Sequence, residues 1–121
     1  MGRKENDEIR KMFDEVYEMI NLKYPHEKPK LKIYRSKSGC GGFCFSKSKE
    51  IKINNFHYPK GTVRKTIIHE FCHLINDLFF YRGKLKAGHN TQFWRLAKEF
   101  GLGEKDYFMK TVAMKQVFVG V

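Results

Sequence analysis

Cysteine is scarce in this chain, with three residues (Cys40, Cys44 and Cys72) among 121. An odd number without framework spacing excludes a disulfide-stapled secreted scaffold and suggests a reducing compartment. Cys40 and Cys44 could pair or bind metal, but no second cysteine pair completes a zinc knuckle. Both therefore read as small packing residues on or beside a strand, and Cys72 reads as packing too. Long apolar runs are missing as well. None approaches the roughly 20 residues that cross a bilayer, and residues 1–8 lack the apolar core of a secretory signal. The expectation is an unsecreted cytoplasmic protein without a membrane partner, nuclear or nucleoid association being the variant. The Met1-Gly2 start has Asn rather than Ser or Thr at position six, which argues against myristoylation.

Repeats, low-complexity segments and interdomain linkers are absent, and a chain of 121 residues buries one core. One domain over 1–121 is expected, with its core at about 5–103 and a tail, 104–121, of ambiguous structure. Acidic residues are few: 13 Asp and Glu against 24 Lys and Arg, a net charge of +11. The basic residues near the centre described below include Lys47, Lys49, Lys52, Lys60, Arg64, Lys65, Arg82, Lys84 and Lys86. Phe43, Phe45 and Tyr34 are interleaved among the strands. Such a face could meet phosphates with lysines and stack bases on rings, in a non-specific and salt-sensitive way. It could equally be a solvated surface over core aromatics.

The most informative stretch is Thr66-Ile67-Ile68-His69-Glu70-Phe71-Cys72-His73-Leu74-Ile75, a His-Glu-x-x-His set in an apolar helical run. Residues four apart share a helix face, so His69 and His73 can aim both imidazoles at one ion. Glu70 stands about a third of a turn round, within reach of a water on that ion. Zinc lowers the pKa of a coordinated water towards about 7, and a carboxylate takes its proton as the water attacks a carbonyl. Val63, Ile67, Ile68, Phe71, Leu74, Ile75, Leu78 and Phe79 predict a mostly buried helix, with Thr62 as its N-cap and Gly83 in the loop after it. Burying two histidines and a glutamate there is costly unless something compensates, which favours metal ligation over satisfied core histidines.

A catalytic zinc site takes three protein ligands and leaves one position open. Asp77 extends the face of His69 and His73, but the helix rises roughly 12 Å over that span, too far for one ion. Asp77 then reads as a surface residue or a partner of the ligands. Glu99 falls inside the next helix and stays an alternative. His26 sits in a Pro-flanked polar turn and reads as solvated. His89 is the strongest choice. It precedes a helix carrying Phe93, Leu96, Ala97 and Phe100, with Asn90 or Thr91 as its cap and Gly101 at its end.

Further elements follow from periodicity. Ile9, Met12, Phe13, Val16 and Ile20 predict a helix capped by Asn6 and stopped near Pro25. Leu31 and Ile33, Phe43 and Phe45, and Ile51 and Ile53 predict three strands, the last two joined by Ser46-Lys47-Ser48-Lys49. In the tail, Val117-Phe118-Val119 weakly favours a strand. The class is α+β: an N-terminal helix, a small three-stranded sheet of antiparallel type, the metal helix and a following helix.

His69-Glu70-Phe71-Cys72-His73, then Gly88-His89 followed closely by Phe93 and Trp94, resembles the SprT-like or Spartan family of zinc metalloproteases. The strand Ser38-Gly39-Cys40-Gly41-Gly42-Phe43-Cys44-Phe45 followed by Glu50-Ile51-Lys52-Ile53-Asn54 is also similar to that family's upstream order. The resemblance covers roughly residues 5–103. It implies a minimal zincin domain with one catalytic Zn²⁺ held by His69, His73 and His89, and with Glu70 as general base. It implies protein substrates, with DNA-bound or crosslinked proteins among them, hence DNA as a partner. Many members add a Cys-rich zinc ribbon or interaction tail, and with three cysteines in 121 residues neither is expected here. The resemblance also makes Glu50–Asn54 the strand that pairs with substrate. Tyr81, His57 and Tyr107 are possible transition-state stabilisers, though each is more often structural. Two alternatives stay open: a non-proteolytic nucleic-acid-binding module with structural zinc, and a narrow regulatory or toxin-like metalloprotease. Glu70 argues against the first, because a structural site needs ligands and no base.

Overall fold

Three helices and one small sheet make up the computed structural model, which describes residues 3–37, 40–57, 62–81, 89 and 91–103. Lys60, Lys84, Lys86, Arg82, Gly61, Gly83, Gly88, Asn90, Tyr107 and the predicted tail strand lie outside the described residues, as do the side chains of His57, Thr62 and Tyr81. Helix α1 spans Arg3–Lys23 and buries the expected stripe Ile9, Phe13, Val16 and Ile20. It starts before Asn6, so Asn6 is not its cap. Asn6 instead accepts a hydrogen bond from Asn55 Nδ2 at 2.8 Å, a tertiary contact that local capping rules cannot foresee.

The strands are β1 (Lys30–Tyr34), β2 (Gly42–Phe45) and β3 (Glu50–Asn54). Their order in the sheet is β1-β3-β2. The β2–β3 pair is antiparallel, as expected, but β1 runs parallel to β3 with Leu31 opposite Ile51, so the sheet is mixed. Strand period 2 puts Ile51, Ile53 and Cys44 on the inner face, where the core of α1 and α2 side chains covers them. Lys32, Lys52, Phe43 and Phe45 alternate onto the outer face. In the β2–β3 turn Lys49 takes a left-handed φ of 54°, a conformation costly for a residue with a Cβ.

One buried side chain ties the end of the sheet together. Asn54 Oδ1 accepts from the backbone N–H of Ser36 and of Phe56, both at 3.0 Å. Asn54 Nδ2 donates to the carbonyls of Ser36 at 2.8 Å and Cys40 at 3.1 Å. Tyr34 Oη also donates to the Cys40 carbonyl at 2.7 Å, and Asn54 N to that of Gly41 at 2.8 Å. The approach to β2 is thereby fixed from two strands.

Helix α2 covers Thr62–Ile75 and continues as a wider π-helical stretch, Asn76–Tyr81. Helix α3 covers Thr91–Glu99, burying Phe93, Leu96 and Ala97. The cysteines are free thiols, all buried, in keeping with a packing role. Among the described residues no helix is long and apolar enough to cross a membrane.

Candidate metal centre

His69 and His73 sit four residues apart in α2, at 0% and 5% exposure, with their ring centroids 4.9 Å apart. His89 lies just before α3 and brings its ring to 5.0 Å from that of His69 and 4.8 Å from that of His73. One donor atom from each falls within 4.8 Å of the others. Ligands on a tetrahedral zinc are about 3.4 Å apart when the bonds are 2.0–2.1 Å long. The His89 and His69 Nε2 atoms, 3.2 Å apart, already match that spacing. The other donor separations, at most 4.8 Å, lie within about 1.5 Å of it, so the donor set fits a metal ion. Burial and its neighbours His73 and His89 hold the His69 imidazole neutral, its pKa well below the ordinary value. Partial burial of its ring lowers that of His89 also, although the residue as a whole is exposed. A neutral imidazole is the form that offers a lone pair to a cation.

Glu70 follows His69 in the chain and is fully buried. Neither carboxylate oxygen has a hydrogen-bond partner among the described residues. Burial raises its pKa well above the ordinary carboxylate range. A buried acid without donors around it is costly, and a cation beside it is one way to offset that cost.

Above Glu70 runs β2. A Cβ at Gly42 would stand 3.2 Å from Glu70 Oε2, 3.2 Å from Thr66 Cγ2 and 2.8 Å from the Lys52 carbonyl oxygen. Only a residue without a side chain lets the strand pass so close to the carboxylate. Because β3 is central in the sheet, Glu50–Asn54 cannot pair with a further strand. β2 is the edge nearer the metal helix, and α2 packs against it. β3 is therefore not available for the substrate-pairing role expected of it.

Other candidates lie elsewhere. Asp77 Oδ2 accepts from Ser46 Oγ at 2.6 Å, anchoring the β2–β3 turn to the end of the metal helix. Glu99 pairs with Lys23 and accepts from Tyr24 Oη at 3.1 Å, which removes it from the ligand set. His26 is not solvated: its ring packs 5.1 Å from Tyr17 and 6.0 Å from Phe71. Among the basic residues, Lys49 pairs with Glu27 at 2.8 Å and Arg64 with Glu15 at 3.4 Å. Lys52 lies over the Phe45 ring at 5.3 Å, Lys47 is exposed in the turn, and Lys65 is half-buried on α2. Sequence reading gave Gly42 and Phe93 no role at the site. Paired glycines at the start of a strand, Gly41-Gly42, were the available signal for the first.

Comparison with known proteins agrees with this geometry. A family model described as "SprT-like family" matches residues 9–112. The crystal structure of the metallopeptidase zymogen of Pyrococcus abyssi abylysin is similar, with a TM-score of 0.64 at 15% identity. The likeness covers 91% of this chain and 95% of that one, and at such identity it concerns the fold. No curated protein sequence matches.

Proposed function

The chain belongs to the SprT-like family, and from that premise we propose that it is a zinc-dependent endopeptidase. His69, His73 and His89 hold the ion and Glu70 is the general base. The observation that supports this best is three imidazole donors within 4.8 Å of one another beside a buried carboxylate under a sheet edge. The ion supplies Lewis-acid polarisation of the scissile carbonyl and acidifies the attacking water. In this reading an extended peptide lies along β2 on the side away from β3, bound by the hydrogen bonds that build a sheet, which lays its backbone alongside Glu70. Glu70 takes a proton from the water and returns it to the departing amine.

A second reading concerns the partner. Lys52 and Lys32 face each other in register on the outer side of the sheet, beside Phe43 and Phe45. The two phenyl rings are 6.1 Å apart and 24° from parallel, and Phe45 is 41% exposed. Rings for bases and ammonium groups for phosphates support association with DNA, and so a role on DNA-bound or crosslinked proteins. Lys47, Lys49, Arg64 and Lys65 are further candidates for phosphate contact.

Glu70→Gln tests both readings. The variant keeps its zinc content and its DNA binding and loses proteolysis. Cleavage at the wild-type rate would refute the base assignment, and absence of cleavage by the wild-type protein itself would leave the non-proteolytic alternative standing.

A further inference from the structure

Four rings meet at the candidate metal centre, and the fourth is a phenyl. Phe93 is fully buried, with its centroid 4.9 Å from His69, 4.5 Å from His73 and 4.8 Å from His89. The imidazole centroids are themselves 4.9, 5.0 and 4.8 Å apart. Six nearly equal separations put the rings at the corners of a near-regular tetrahedron. The phenyl ring thus covers one side of the imidazole triangle and leaves the other side to a shared ion.

We propose that Phe93 is the positioning residue of this centre: its ring sets the tilt of all three imidazoles so that their donors converge. The proposal rests on the three-histidine reading above. A d¹⁰ ion such as zinc imposes no geometry of its own, so the protein must orient the rings. His69 and His73 inherit their places from α2. His89 lies at an exposed position outside any regular element, four residues before Phe93. Phe93 stands in the first turn of α3 and is buried in the same face as Leu96 and Ala97. Its ring therefore couples the docking of α3 on α2 to the placement of the third ligand. The contacts are the tilted and edge-on kinds that aromatic rings favour, at 67° to His69, 32° to His73 and 52° to His89. Trp94 flanks the His89 ring as well, at 5.7 Å and 44°.

The test uses the full chain and two substitutions. Phe93→Leu removes the ring, and Ile20→Ala weakens the core in α1 away from it. Zinc affinity is measured by competition with a chromophoric chelator, and the absorption bands of the cobalt-loaded protein report ligand geometry. Urea unfolding of the metal-free forms gives the stability of each. Phe93→Leu is expected to bind zinc roughly 10- to 100-fold more weakly and to shift the cobalt bands, as loss of a ligand's supporting contact does. Ile20→Ala is expected to bind within about threefold of wild type with unchanged bands, because lost global stability leaves the folded form's affinity intact. Wild-type affinity and spectrum in Phe93→Leu, or an equal loss in Ile20→Ala, would overturn the proposal. Phe93→Met is read by the same criteria should the leucine variant fail to fold. A wild-type protein that binds no zinc would overturn the three-histidine reading itself.

Discussion

Replacing Gly42 by alanine adds one methyl group at the place where strand and carboxylate meet. Gly42 is not among the residues with positive φ, so alanine can take its backbone conformation and the cost is steric alone. The new Cβ would meet the Lys52 carbonyl oxygen at 2.8 Å, a backbone atom held in the β2–β3 ladder. It would also meet Glu70 Oε2 and Thr66 Cγ2, each at 3.2 Å. Overpacking of this kind costs typically 1–3 kcal/mol, and alanine regains about 0.4–1 kcal/mol by restricting the unfolded chain. The net loss is then about 1–2 kcal/mol, measurable in urea unfolding. Activity suffers more than stability, because relief comes by moving β2 outward or the carboxylate aside, and a displacement near 1 Å at a reacting group costs on the order of 100-fold. None of the three nearest atoms belongs to a histidine, so zinc content stays at the wild-type value. Cleavage of an unstructured protein substrate within threefold of wild type would show that β2 and Glu70 do not act together.

Three more outcomes are expected. His89→Ala loses most of the bound zinc in metal analysis of the purified protein, and unchanged stoichiometry would send the search for a third ligand back to the acidic residues. Asn54→Ala removes the partner of the Ser36 and Phe56 N–H groups and of the Ser36 carbonyl, while the Cys40 carbonyl keeps its bond from Tyr34 Oη; at 1–3 kcal/mol per unsatisfied group this should cost about 3 kcal/mol or more in urea unfolding, and a loss under about 1 kcal/mol would contradict the clamp. His26 has its pKa lowered by burial, although its Nδ1 contact with the Tyr24 carbonyl at 2.6 Å works the other way. A lowered folded-state pKa means the unfolded chain binds more protons below the ordinary value of 6.5, so the contribution is complete above that pH and is lost as pH falls. With zinc saturating, His26→Gln should flatten the decline in melting temperature between about pH 7 and pH 5; parallel curves would remove His26 from the account.

Much of this molecule is legible in its sequence because local rules and tertiary demands coincide there. The apolar spacing of α1, the three alternating strand segments and the His-Glu-x-x-His turn all report burial on one side of a regular element. His89 could be found because a two-histidine site is chemically incomplete. Strand order was beyond reach. Ile51 and Ile53 alternating with Lys52 look the same in a central as in an edge strand, since one face is buried in both. Pairing partners depend on where β1 and β2 arrive, which no window of the chain encodes. Asn6 and His26 were misread for one shared reason: each is a polar residue in a locally ordinary setting whose partner, Asn55 or Phe71, is remote in sequence.

The broad winding of Asn76–Tyr81 has a consequence for how far the chain length can vary. Adjacent residues Phe79 and Phe80 both reach the Tyr24 ring, at 5.5 and 6.2 Å. In a helix of ordinary pitch neighbours diverge by about 100°, so deleting one residue from this stretch would swing one phenyl away from that partner. Asn76–Tyr81 should accept point substitutions more readily than a change of register, and relatives with a shortened version of it would have to rebuild the Tyr24 contact.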